Sequence, residues 1–254
     1  MSIENTNFYK LYNGDCLELM KDIPDKSIDM ILCDLPYGTT RNKWDCIIPL
    51  DELWQQYERI VKDNGSIVLF SAEPFTSYLV TSNVKLFRYD LIWSKPQGSD
   101  FLNANRKPLR SHENICVFYK KQPAYYAQKT SGKPYKAKSG NTTSSNFGKF
   151  NGNYHTENVD GKRYPLTVLN FNGEHNKGKV HPTQKPVALL EYLIKTYTNE
   201  NETVLDNCMG SGSTGVACVN INRNFIGIEL DETYFNIAKD RIENTQKEVN
   251  ISNE

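Results

Sequence analysis

The sequence predicts an α/β protein built on a doubly wound sheet. Three observations carry that expectation. Short apolar runs alternate with amphipathic stretches along the 254 residues. A strand pattern, Thr203-Val204-Leu205-Asp206, runs through a glycine-rich turn, Asn207 to Gly215, into the helix-like Val216-Ala217-Cys218. About twenty residues later another strand pattern ends in an acid, Glu229.

The elements follow in order. Ile28–Cys33 (IDMILC) reads as a buried strand, because an almost unbroken apolar run suits a strand covered on both faces. A helix is expected at Leu50–Lys62. A strand is expected at Ser66–Phe70, announced by an Asn64-Gly65 turn. Tyr89–Trp93 and Asn114–Tyr119 read as further strands. Then come a helix at Val187–Tyr197, a strand at Thr203–Leu205, a helix at Ser213–Asn220 and a strand at Phe225–Glu229. A last helix, Glu232–Thr245, has Asp231 as its expected cap.

Thirty basic and 30 acidic residues give a net charge of zero, yet the charge is unevenly spread. Lys85 to Lys185 holds 18 basic and 6 acidic residues, a net of +12; the remainder carries −12. Such asymmetry suits a nucleic-acid-facing segment on an acidic body. Within it, Pro123 to Asn153 is rich in Lys, Ser, Gly, Asn and Tyr and lacks apolar periodicity, as functional or disordered loops do. No apolar run reaches the ~20 residues of a membrane helix. MSIENTNFYK has no signal-peptide pattern, so a cytoplasmic protein of a bacterial or virus-infected cell is expected, without a membrane partner. The six cysteines (16, 33, 46, 116, 208, 218) form no C-x-x-C pair, so reduced thiols and no bound metal are expected.

Two segments carry chemistry. In the first, Gly210-Ser211-Gly212-Ser213-Thr214-Gly215 matches the letters of a dinucleotide fingerprint. Its glycines let backbone approach a ligand, and Glu229 can accept both ribose hydroxyls of an adenosine. A plain helix-entry turn is the competing reading. In the second, Asp34-Leu35-Pro36-Tyr37 follows a strand directly. An exocyclic amino group is a poor nucleophile because its lone pair is delocalised into the ring. Hydrogen bonds from it to a carboxylate and a main-chain carbonyl favour a pyramidal nitrogen, and an aromatic ring can stack on a flipped base. Asp34, the Leu35 carbonyl and Tyr37 suit those tasks; an ordinary turn is again the alternative.

Together these segments resemble the amino-methylating DNA methyltransferases of the circularly permuted beta group. Asp34-Leu35-Pro36-Tyr37 resembles their catalytic motif, with Leu35 in place of a proline. Cys208-Met209-Gly210-Ser211-Gly212 resembles their Phe-x-Gly-x-Gly cofactor motif, with Cys208 in place of the Phe and Asn207 where a Pro is usual. His181-Pro182-Thr183-Gln184-Lys185-Pro186, Arg110-Ser111-His112-Glu113 and Asn13-Gly14-Asp15-Cys16 are also similar to family segments.

The resemblance implies a Rossmann-like class I methyltransferase fold: a mixed, mostly parallel sheet with helices on both faces. It implies one methyltransferase domain over residues 1–254 and an inserted target-recognition region at 120–165. The implied activity is methyl transfer from S-adenosylmethionine to adenine N6 in duplex DNA by base flipping, leaving S-adenosylhomocysteine. Cytosine N4 is the near alternative; a catalytically weak DNA-binding relative and a dinucleotide-dependent oxidoreductase are more distant ones. Asp34, Leu35, Pro36 and Tyr37 are the implied catalytic residues. The implied cofactor contacts are Asp15 and Cys16 near the adenine, Asp34, His181, Thr183, Lys185, Asp206, Cys208, Gly210, Ser211 and Gly212 toward the methionine end, and Glu229 with Leu230 at the ribose. Lys120, Lys121, Lys133, Lys136 and Lys138 are the expected phosphate contacts. A homodimer and a cognate restriction endonuclease are implied partners.

Overall fold

The computed structural model describes residues 3–5, 8–38, 46–136, 157–172 and 184–252. In chain order the elements are β1 (Ile3–Asn5), β2 (Tyr9–Asn13), α1 (Cys16–Met20), β3 (Ile28–Asp34), α2 (Leu50–Ile60), β4 (Val61–Ser71) and α3 (Phe75–Ser82). Then come β5 (Phe87–Ser99), β6 (Arg110–Phe118), β7 (Thr130–Ser131), β8 (Tyr135–Lys136), β9 (Glu157–Asn158), β10 (Lys162–Arg163) and β11 (Val168–Asn170). The last are α4 (Val187–Tyr197), β12 (Thr203–Asp206), α5 (Ser213–Asn220), β13 (Asn224–Glu229) and α6 (Glu232–Ser252).

Two compact units result: residues 1–126 with 167–254, and Ala127–Leu166. The larger holds a nine-stranded sheet in the order β1-β2-β13-β12-β3-β4-β6-β5-β11. From β2 to β4 neighbouring strands run parallel; β6 is antiparallel to both β4 and β5.

The apolar run of β3 is used on both faces. Met30 and Leu32 join one core with side chains of α4, α5 and α6, such as Leu193, Ala217 and Phe235. Ile31 and Cys33 join the other with those of α1, α2 and α3, such as Met20, Leu53 and Phe75. Alternate residues of a strand point to opposite faces, so one sequence segment supplies both layers.

The sequence reading placed the central strands and missed shorter pieces. β4 begins at Val61, where a helix was expected to end. Ile28 pairs with Val61 but Met30 pairs with Ser66, so Lys62–Gly65 is bulged out between two paired stretches. The Asn64-Gly65 turn is therefore an interruption inside β4. Asp231 caps α6 as expected, its carboxylate accepting from Thr233 N at 2.8 Å. That helix runs on to Ser252, past the expected Thr245. Neither α1 nor α3 has enough residues for apolar periodicity to reveal it.

The smaller unit has little secondary structure among its described residues. Two short antiparallel ladders, β7 with β10 and β8 with β9, hold it. Arg163 lies over the Tyr135 ring at 4.5 Å, and Lys129 over Tyr164 at 4.3 Å. Gly161 has φ +69, and a Cβ there would meet the Gly132 carbonyl oxygen at 2.0 Å, so only glycine fits.

Candidate active site

The chain moves outward from the sheet centre in both directions, β12 to β13 on one side and β3 to β4 on the other. The carboxyl ends of β12 and β3 therefore flank a topological switch point, where ligands bind in open α/β sheets. Acidic residues cluster there. Asp34 ends β3, Asp206 ends β12 and Glu229 ends β13, while Asp15 follows β2 by two residues. Four adjacent parallel strands thus present four carboxylates along one edge.

Each has a different environment. Asp15 caps α1, accepting from Leu17 N at 2.8 Å and Glu18 N at 3.3 Å. Asp206 is buried and accepts from Thr214 Oγ1 at 2.6 Å and Cys208 N at 3.1 Å. Burial nevertheless pushes its carboxyl up to about 6. Glu229 accepts from Gly210 N at 2.8 Å and Asp231 N at 2.9 Å, one amide per oxygen. Burial raises it too, against those two donors. Each oxygen keeps a lone pair for a further donor such as a ribose hydroxyl.

Asp34 sits in a cluster of four charges. Its Oδ1 accepts from the Tyr37 hydroxyl at 2.6 Å. Its Oδ2 accepts from Lys185 Nζ. Lys185 is also 3.3 Å from Glu113 Oε2, and Glu113 Oε1 is paired with Lys95. Lys185 is only 8% exposed, and its ammonium lies 5.1 Å from the Phe70 ring centre. Burial raises Asp34, partly offset by the Lys185 charge. Burial also works against the charged form of Glu113, but Lys185 and Lys95 outweigh it and hold that carboxyl low. For Lys185, burial is outweighed by Asp34 and Glu113, so its ammonium is stabilised. The Tyr37 ring stacks on Phe75 at 5.3 Å and 25°.

Several expected contacts are redirected. Lys185, expected at the methionine end of a cofactor, is held by Asp34 and Glu113. The Ser211 hydroxyl is taken by Arg241 of α6 at 3.0 Å, because the side chain points into the helix layer. Gly212 has φ +78, and a Cβ there would lie 2.8 Å from the Ala238 Cβ. Helix packing, rather than a ligand, is what demands glycine at that position. Gly210 differs: it has φ +52 and open space where a Cβ would stand.

The remaining expected residues are placed as follows. Cys16 and Cys208 share the Asn207 amide, whose Nδ2 is 3.6 and 3.5 Å from their sulfurs. Asn207 is itself held by the Tyr57 hydroxyl at 2.6 Å. Leu35 is buried in the core, Pro36 is half-buried and Leu230 is exposed. His181, Thr183 and Lys138 lie outside the described residues. In the smaller unit Lys136 is exposed and pairs with Glu157 at 2.8 Å, and the Lys133 carbonyl accepts from Arg163 at 2.5 Å.

Lys120 and Lys121 lie at the other end of the parallel strands from Asp34. Both ammonium groups sit 3.1 Å from Asp63, and Lys121 N donates to the Asp63 carbonyl. Asp63 lies in the early, bulged part of β4, at the amino edge of the parallel strands. The seven residues of β3 put roughly 20 Å between that edge and Asp34. β6 runs antiparallel to β4, so its end and the two lysines that follow it lie away from the carboxyl edge that holds Asp34. Glu113, expected only to order its strand and loop, and Lys95, given no role from the sequence, both join the Asp34 cluster. Glu113 stood in a recognised segment but adjoined a strand, and nothing in the Lys95 spacing marks it.

The donor set fits S-adenosylmethionine. A cationic sulfonium suits an acidic edge, a ribose diol suits Glu229, and the space at Gly210 admits close approach. Among the described residues no group of His, Cys, Asp and Glu is placed to hold a metal, and no helix is long and apolar enough to cross a membrane.

Comparison with known proteins agrees with this geometry. Residues 28–240 match the N6_N4_Mtase family, described as DNA methylase. The type II methyltransferase M.BglII of Bacillus subtilis is 29% identical over 93% of this chain and 69% of its own length. The type II methyltransferase M1.MboII of Moraxella bovis is 28% identical over 90% of this chain and 94% of its own. The solved complex of M1.HpyAVI with SAM is 29% identical, with a TM-score of 0.63 covering 92% of this chain and 99% of that one. The cytosine-N4-specific PvuII DNA methyltransferase is 16% identical with a TM-score of 0.70 over 96% of this chain and 93% of that one, a likeness of fold.

Proposed function

We propose, from the premise that this chain belongs to the DNA methylase family, that its target is the N6 amino group of adenine, flipped out of duplex DNA. The chain is an S-adenosylmethionine-dependent DNA methyltransferase. The observation that carries the adenine reading is Asp34, a carboxylate that ends β3 at the switch point; in the resembled family, Asp rather than Ser at this position favours adenine.

Bound S-adenosylmethionine would supply an electrophilic methyl group on a sulfonium, whose neutral thioether, S-adenosylhomocysteine, is an excellent leaving group. The chain's part is therefore mainly positioning. Glu229 takes the ribose hydroxyls, with Leu230 beside them. Asp206 and the backbone at Gly210 line the methionine end, and Asp15 and Cys16 lie toward the adenine. Asp34 accepts a hydrogen bond from the target amino group and then its proton, once that nitrogen has gained a fourth bond. The Leu35 carbonyl accepts from the same amino group. Tyr37 already has one face on Phe75, so its other face receives the base. The insertion around 120–165, with Lys133 and Lys136, reads the target and meets phosphates.

Incubation with labelled S-adenosylmethionine and mixed-sequence duplex DNA, followed by mass identification of the nucleosides, tests this reading. N6-methyladenine is expected. N4-methylcytosine would replace adenine with the cytosine reading, and no methylated nucleoside would overturn both.

A further inference from the structure

We propose that Lys185, clamped by Glu113, is the positioning residue that keeps Asp34 an anion and fixes which of its oxygens faces the target base. The inference rests on the methyltransferase reading of the Asp34 site and adds two residues to it.

The geometry is that of a partly buried four-charge chain with the buried Lys185 inside it. Asp34, Lys185, Glu113 and Lys95 alternate in sign, and each is ion-paired to the next. They come from four separate parts of the fold: the end of β3, the segment before α4, β6 and β5. A lysine this buried holds its charge only when paired. Lys185 has two carboxylate partners and a further contact with the Phe70 ring. Glu113 Oε2 is buried and receives no well-directed hydrogen bond, so its tie to Lys185 is a matter of charge.

The arrangement answers two demands of the reaction. A carboxylate in a closed site tends to take up a proton, and a protonated Asp34 could not accept from an amino group. The Lys185 ammonium opposes that. It also occupies Oδ2, so the base's amino group is directed to Oδ1, the oxygen that the Tyr37 hydroxyl reaches. Lys185 alone would bring a positive charge toward a cationic sulfonium. Glu113 cancels it, and with Lys95 the four-group chain is neutral overall. Among the described residues, the other titratable groups around Asp34 are Tyr37 and Cys33 on its own segment and Asp206 on β12.

Two variants must therefore act with opposite sign. Lys185→Met removes the cation, so Asp34 takes up its proton at higher pH. The acid limb of the single-turnover methylation rate moves up, and the rate at pH 6 falls about tenfold further than at pH 8. Glu113→Gln removes a like charge, so the acid limb moves down, while S-adenosylmethionine binds more weakly beside a net positive cluster. Lys185→Arg keeps the charge and restores the wild-type limb. Carbon-13 NMR of the aspartate carboxyls, with Asp34→Asn to assign the signal, follows the same titration without any DNA.

Limbs and carboxyl titrations moving in opposite directions for Lys185→Met and Glu113→Gln support the proposal. If Lys185→Met instead weakens cofactor binding and leaves the Asp34 titration in place, Lys185 serves the cofactor and the proposal is wrong. A uniform loss of rate in both variants with no movement of either titration marks a structural role and overturns it as well. A wild type that methylates no DNA defeats the functional reading, whereas the NMR titration still decides the role of Lys185.

Discussion

The two edges of the sheet hold similar charges and use them differently. At the amino edge Asp63 gathers Lys26, Lys120 and Lys121 in water. At the carboxyl edge the partly exposed Asp34 and Glu113 share the buried Lys185. Hydrogen bonds from Lys121 and Lys120 lower the Asp63 carboxyl, while burial raises that of Asp34 although a lysine touches it. The chemistry of the groups is the same; desolvation reverses the direction. An exposed cluster is screened, easily rearranged and nearly neutral for stability. A buried one is costly to form, fixed in geometry and sensitive to the loss of any member. Only the second can orient a reacting nitrogen.

Breaking the carboxyl edge has the largest expected effect. Asp34→Ala lowers methyl transfer by about three orders of magnitude or more, because both proton acceptance and orientation are lost. Cofactor affinity, measured by titration calorimetry, falls far less, only by what a net positive cluster beside the sulfonium costs in Glu113→Gln as well. Activity near wild type would remove Asp34 from the chemistry.

A medium effect sharpens the same contrast through pH. The Asp206 carboxyl titrates near 6 in the free protein. A bound cation favours the carboxylate, so the bound state holds fewer protons and affinity rises with pH through that value. S-adenosylmethionine binding is expected to weaken by up to about tenfold from pH 7 to pH 5. Asp206→Asn flattens that dependence; an equally steep profile in the variant would assign it to another group.

The smallest effects belong to the amino edge. Asp63→Asn shifts Tm by no more than about a degree, the behaviour of an exposed pair. Lys120→Ala with Lys121→Ala leaves the salt slope of DNA binding as it was, while Lys133→Ala with Lys136→Ala lowers it by about two. The reverse result would bring DNA to the edge where Asp63 sits.

How much of this was legible beforehand depended on sequence distance. Ile28–Cys33 betrayed its strand because a run buried on both faces must be apolar throughout. The turn from Asp206 to Gly215 betrayed its role because the strand, the glycines and the helix are contiguous. Asp34, Asp206 and Glu229 were found because each directly ends a recognisable strand. The pairing of Lys185 with Asp34 spans 151 positions, and no local pattern records it. Gly212 looked like a ligand glycine because the helix that crowds it, α6, begins twenty residues later. The net charge of zero concealed a basic middle, and the basic segment did not show that Lys120 and Lys121 gather at Asp63. Counting charge along the chain does not say at which end of an antiparallel strand it emerges.

By itself the sequence determined the α/β class, the central strands, the family and the acids that end β3, β12 and β13. These follow from periodicity and from residues adjacent in the chain. Tertiary structure alone decided that Asp34, Lys185, Glu113 and Lys95 form one alternation of charge around a buried lysine, and that Asp63 gathers Lys120 and Lys121 at the far edge. Desolvation and strand direction are properties of the packed sheet, and they set what each charge can do.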